Sequence, residues 1–190
     1  MQPSIALFAL VFVFGQPQPR YIQFGQQTER GGTRVAYWDN EKNQAVGEVA
    51  IDFGRPLWKE QYAEQLDAMT SGKIWRMGEN FWTTLDSNVP LTIGGADVPV
   101  GSYYLTVKRS EDGATWSLAF VDPVETRKRV LDPFEVGTRP DEIPVRFEAP
   151  LSFQTVEEPQ ERLVIELSET RLRIRWGTFA LSAPVSVTHR

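Results

Sequence analysis

The chain has 190 residues, no cysteine, one histidine (His189) and a formal net charge of −5 at neutral pH. The lack of cysteine excludes disulfides, thiol nucleophiles and thiolate-bound metals, and a lone terminal histidine excludes a Ser-His-Asp triad or multi-histidine centre. With 41% hydrophobic residues the chain can bury a core, and its acidic balance argues against nucleic acid as a partner.

The first element is an apolar run, Ile5–Gly15. As a helix it spans about 16 Å, too short for a hydrocarbon core of about 30 Å, so it reads as the core of a signal peptide rather than a membrane span. Val13 and Gly15 are small enough to precede cleavage before Gln16. Residues 1–15 are therefore expected to be removed, placing the protein outside the cytoplasm, periplasmic or secreted. Residues 16–32, rich in Gln, Pro and Gly, read as a flexible arm, and residues 33–190 as one domain.

From Thr33 onward short runs alternate apolar and polar residues, the mark of half-buried strands. Val49, Ile51 and Phe53 share one face, as do Tyr103, Leu105 and Val107, and then Trp116, Leu118 and Phe120. Glu111-Asp112-Gly113 supplies the turn between the last two runs. Trp58, Tyr62, Leu66 and Met69 instead recur at helical spacing between Pro56 and Gly72, predicting an amphipathic helix near residues 57–70. Thr126–Val130 is a short basic cluster that reads as a loop. In Arg162–Trp176, pairing Leu167 with Leu172 sets Ile165 opposite Ile174, Leu163 opposite Trp176 and Glu166 opposite Arg173. Thr178–Val187 contains Pro184 and fits an edge strand. The fold class predicted is mostly β, an antiparallel β-sandwich or jelly-roll with a single helix.

Gly72–Tyr104 contains G-K-x-W-R-x-G-x-N, then T-T, then I-G-G-x-x-V-P-x-G-x-Y-Y. This order of rigid elements resembles a family of exported bacterial domains of unknown function, densely over residues 46–122 and by strand pattern beyond. The resemblance implies an exported β-rich fold and nothing about activity, since the family has none assigned.

Several of these residues have structural reasons to be there. Gly94-Gly95 permits the positive φ of a tight hairpin, and Pro99 and Gly101 fit a turn into the Tyr103 strand. The polar residues point further. Read as a strand, Asn80–Asp86 puts Phe81, Thr83 and Leu85 on a core face, and Asn80, Trp82, Thr84 and Asp86 on the other. An indole, an amide, a hydroxyl and a carboxylate on one face can hold a polar ligand, the ring giving apolar contact and the polar groups orientation. Arg76 precedes this strand and can reach Asp86 or Glu79, and Tyr104 completes the candidate face. The same arginine, carboxylate and Trp would equally serve as a tether for the loop. Among the tryptophans, Trp38, Trp75 and Trp82 are the candidates for exposed platforms.

Three functions stay open. The first is non-catalytic binding of a polar small molecule, glycan or envelope partner through Arg76, Asn80, Trp82, Thr84, Asp86 and Tyr104. The second is a hydrolase using a carboxylate pair, Glu79 and Asp86, with Asp52 or Asp97 as other possible members; such a pair must stand about 5–10 Å apart. The third is a structural or protein-interaction domain. No cofactor or metal is expected: there is no phosphate loop, and Asp86-Ser87-Asn88 runs into Val89-Pro90 without the glycine and distal glutamate of a calcium loop.

Overall fold

A computed structural model describes residues 29–188, so the signal peptide and most of the arm expected from the sequence lie outside the described residues. The described residues form ten strands: β1 (Arg30–Asp39), β2 (Gln44–Gly54), β3 (Ile74–Arg76), β4 (Thr83–Ser87), β5 (Leu91–Ile93), β6 (Ala96–Val98), β7 (Gly101–Arg109), β8 (Trp116–Val121), β9 (Val145–Leu167) and β10 (Arg171–Val187). They join in the order β1-β2-β4-β7-β8-β9-β10-β5-β6, all antiparallel, with β3 added to β7. β1 begins at Arg30, three residues before the expected domain start, because Arg30, Gly31 and Gly32 pair with Gly54, Phe53 and Asp52.

Two long strands fold this sheet over on itself. The start of β9 pairs with β8, its remainder pairs with β10, and the end of β10 pairs with β5. Val49, Ile51, Leu85, Leu105 and Leu118 of the first layer thereby meet Leu163, Ile165, Leu172 and Ile174 of the second in one buried core. Each side chain buried this way contributes about 1.5–3 kcal/mol, which is what holds the two layers face to face.

The β9–β10 register follows the period-two pattern at Leu167–Leu172, Glu166–Arg173 and Ile165–Ile174. Leu163 does not pair with Trp176 as the sequence predicts. The register shifts after Arg175, and Gly177 pairs with Gln160 instead, because Gly177 adopts φ +59° and bends the strand. Across this ladder Glu166 bonds diagonally to Arg175 at 2.9 Å. The expected edge strand is also corrected, since β10 lies between β9 and β5. Pro184 is tolerated there because it falls between Ser182, where pairing with β9 stops, and Val185, where pairing with β5 begins. Its carbonyl accepts the N–H of Gly94 at 2.9 Å.

The predicted helix forms as α1 (Gln61–Thr70) but starts later than its apolar spacing suggests. Residues 56–58 act as a strand-like partner for β9: Leu163 N–H donates to Pro56 O, Leu57 bridges Arg162, and Trp58 N–H donates to Glu161 O. Trp58 therefore precedes the helix and packs edge-on against Trp176 at 5.1 Å. Gly72, at φ +69°, ends the turn after α1 as expected. Arg109 clamps the helix to the β7–β8 turn by donating to Gly113 O, Asp67 and Thr70. Trp75 is not an exposed platform, because its ring stacks on Trp176 at 5.3 Å and packs on the core. Between α1 and the sheets is a small apolar void of about 20 Å³, lined by no charged side chain.

The segment between β8 and β9 is an unexpected outer layer. Pro123–Lys128 forms a helix, α2, where the sequence suggested only a basic loop, and two 3₁₀ turns follow at Pro133–Glu135 and Pro140–Glu142. Six residues are too few to show a helical period; the legible signal is Asp122 capping the N–H groups of Val124 and Glu125, followed by Pro123. Leu131, Val136 and Ile143 of this segment pack on Ile74 and Val121, with Trp82, Tyr104 and Val145 at the margin. This second, smaller core covers part of the outer sheet face and raises a wall beside the remainder.

Candidate functional site

The site is built on one row of the outer sheet face. Thr84 on β4 pairs with Asp52 on β2 and with Tyr104 on β7. The next row of the same face carries Asp86 opposite Ala50 and Ser102. β4 begins only at Thr83, so the expected strand from Asn80 is shortened. Its place is taken by a loop in which Gly78 and Asn80 adopt φ +107° and +60°. The loop crosses β2 so closely that a Cβ on Gly54 would stand 2.2 Å from the carbonyl of Glu79. Thr83 anchors it from the buried side by donating to Met77 O. This turn throws Phe81 outward. The sequence placed Phe81 on a core face, but its residue is 52% exposed.

An open cleft of about 630 Å³ results. Its floor is Thr84 beside Trp82 and Tyr104, whose rings stack at 4.8 Å and 4°. One wall is Phe81, with the Arg30 guanidinium 5.7 Å from its ring and bound at 2.8 Å to Asp52. The other wall is Asp132-Pro133-Phe134 of the outer layer, where Phe134 is 49% exposed. Asp132 caps its 3₁₀ turn, accepting the Phe134 N–H at 2.8 Å while Glu135 bonds back to its own N–H.

Of the residues singled out in the sequence, Asn80, Trp82, Thr84 and Tyr104 come together in this cleft. Asp86 lies in an adjoining depression with Arg34 and Glu48, separated by Thr84 and Asp52, which border both. There its carboxylate accepts the hydroxyl of Ser102. Arg76 stands behind the Phe134 wall, its guanidinium 4.5 Å from that ring, and forms no ion pair with Asp86 or Glu79. Burial pulls the Arg76 pKa down, with Asp132 and Glu79 opposing, and the group stays charged at any physiological pH. Glu79 packs on Gly54 while Asp86 pairs with Ala50, four positions along β2, so their backbones are about 13 Å apart at about 3.3 Å per residue. Among the described residues, no three acidic or histidine side chains converge as a metal site, and no helix is long and apolar enough to cross a membrane.

Sequence reasoning did not find Arg30, Phe81 or Asp132–Phe134 as cleft residues, and it weighed Asp52 only as a carboxylate. Asp132-x-x-Glu135 was a readable capping box, but nothing local says that its turn rests beside Trp82.

Fold and site together define an antiparallel β-sandwich with an open cleft of aromatic walls and polar floor. Residues 37–185 match the model of a family described as a protein of unknown function (DUF2911), and the chain belongs to that family. The match takes in every cleft residue named above except Arg30. No curated protein and no solved structure matches the chain.

Proposed function

We propose that the protein is an exported, non-catalytic binding module that holds a polar small molecule or glycan between Phe81 and Phe134. The observation that carries this reading is the pair of half-exposed phenylalanine rings walling a floor that offers Asp52, Thr84 and Asn80. Rings of this kind give apolar contact to the faces of a sugar, and the floor groups fix its orientation. Neither Glu79 nor Asp86 lines this cleft, which favours binding there over hydrolysis by that pair. Export rests on the Ile5–Gly15 run.

Titration calorimetry of the mature chain against a panel of oligosaccharides tests the reading, with Phe81→Ala as the control. Phe81 is on the surface, so the variant should keep its melting temperature and lose up to about tenfold in affinity, the worth of one aromatic contact. If no member of the panel binds, or if Phe81→Ala binds as wild type does, the cleft is not the site.

A further inference from the structure

We propose that the ligand is a neutral oligosaccharide several units long, lying along β2 from the aromatic cleft, through the depression at Asp86, to the ring of Trp38. This rests on the reading of the cleft as a sugar site, and it names the length and charge of the chain taken there.

The cleft continues past its floor. Asp52 and Thr84 border both the cleft and the depression of about 490 Å³ beside it, so the two hollows meet over a single row of the sheet. Asp52, Ala50 and Glu48 are alternate residues of β2 and point the same way. Ala50 is flanked by Arg34 on β1 and by Asp86 on β4. Its methyl group is the smallest side chain of that row, which keeps the floor of the depression low.

β1 carries the same face onward. Arg34, Ala36 and Trp38 alternate along it and are exposed, the indole at 57%. β4 ends at Ser87, opposite Val49, and the hairpin of β1 and β2 continues past it to Trp38. From Gly32, opposite Asp52, to Trp38 is six positions, about 20 Å at about 3.3 Å per residue. That track is longer than a single sugar ring, and it has aromatic rings at both ends.

The groups between the rings suit a chain of hydroxyls. Asp52 is bound by Arg30, Asp86 accepts the hydroxyl of Ser102, and Glu48 stands 3.7 Å from Arg34. A carboxylate has about four lone-pair sites, so these contacts leave acceptor capacity on each. A sugar hydroxyl both donates and accepts, and can bond to carboxylate and guanidinium alike. Glu48, Asp52 and Asp86 outnumber Arg30 and Arg34, so the track repels an acidic chain and admits a neutral one.

Calorimetry with cello-, xylo- and manno-oligosaccharides, from disaccharide to hexasaccharide, tests the length. In the series that binds, the hexasaccharide is expected to bind about tenfold more tightly than the disaccharide, the worth of a further aromatic contact. Ala50→Gln fills the depression from its floor and should remove that gain while leaving disaccharide binding unchanged. Phe81→Ala should weaken every member alike. In the wild-type protein the Trp38 indole N–H resonance should shift with the hexasaccharide and stay in place with the disaccharide, which decides the matter even if Ala50→Gln does not fold. A hexasaccharide bound no better than the disaccharide, or an unmoved Trp38 resonance, overturns the extended track and leaves the cleft reading standing. Tighter binding of tetragalacturonic acid than of its methyl ester overturns the neutral class. Failure of every oligosaccharide removes the cleft reading and the track with it.

Discussion

The indole of Trp58 lies directly over the backbone of Gly177: a Cβ at that glycine would stand 2.1 Å from Trp58 Cδ2. Gly177 also holds φ +59°, a conformation in which side chains are strained. The contact joins the chain before α1 to the bend of β10 and organises the cluster of Trp58, Tyr62, Trp176 and Phe179. Gly177→Ala is expected to cost about 2–4 kcal/mol, about 1 from backbone strain and about 1–3 from overpacking. Urea denaturation checks this through a lowered midpoint at unchanged slope. A variant as stable as wild type would mean that Trp58 is not seated there.

A second prediction concerns the seam where the folded sheet fails to close. β1 runs beside the end of β9 without a backbone ladder, and Thr33 bridges the gap. Its hydroxyl accepts the N–H of Leu167 at 3.2 Å and donates to the carbonyl of the same residue at 3.5 Å. Glu29 and Arg162 pair across the other end at 3.1 Å. Thr33→Val keeps the shape and removes both bonds, at an expected cost of about 1–2 kcal/mol. Amide exchange at Leu167 should quicken in the variant. Unchanged protection there would show that the seam is held by something other than Thr33.

Acid should loosen the outer layer first. Asp122 is held below the usual carboxylate range chiefly by the N–H of Glu125, Glu135 by the N–H of Asp132, and Glu142 by the Arg139 side chain. Unfolded, these carboxyls titrate near pH 4, and in the folded protein they titrate lower. The unfolded state therefore binds more protons in acid. The stability these groups supply is fully present above about pH 4 and is lost as pH falls through their depressed values. Near-ultraviolet circular dichroism of Trp82 and Tyr104 should change as pH falls below about 4. Asp122→Ala should cost about 1 kcal/mol at neutral pH, the usual worth of a helix cap, and flatten the acid limb. An acid limb as steep as that of wild type would dismiss Asp122 as a contributor.

Local chemistry made part of this architecture readable. The pairing of Leu167 with Leu172 and Ile165 with Ile174 follows from period-two alternation across a short turn. The hairpin at Gly94-Gly95 follows from two adjacent residues that accept positive φ. Trp82 and Thr84 were found because they are near neighbours on one short run, and Tyr104 because it follows the same motif. Phe81 falls on the wrong face in an alternation begun at Asn80, because the left-handed conformation of Asn80 keeps it out of the strand, which starts only at Thr83.

The β class, the main helix, the register from Leu167–Leu172 to Ile165–Ile174 and the cleft residues Asn80, Trp82, Thr84 and Tyr104 were legible in the sequence, because each depends on residues close together along the chain. Only the tertiary structure decided the strand order that brings Asp52 beside Thr84, the interior position of Pro184, and the aromatic wall at Phe134. Alternation says which face of a strand is apolar but not which strand lies next to it. The outer layer from Asp122 to Pro144 is too short and irregular to carry a period. Its place over the sheet is set by the fit of Leu131, Val136 and Ile143 against Ile74 and Val121, a contact that exists only once the chain has folded.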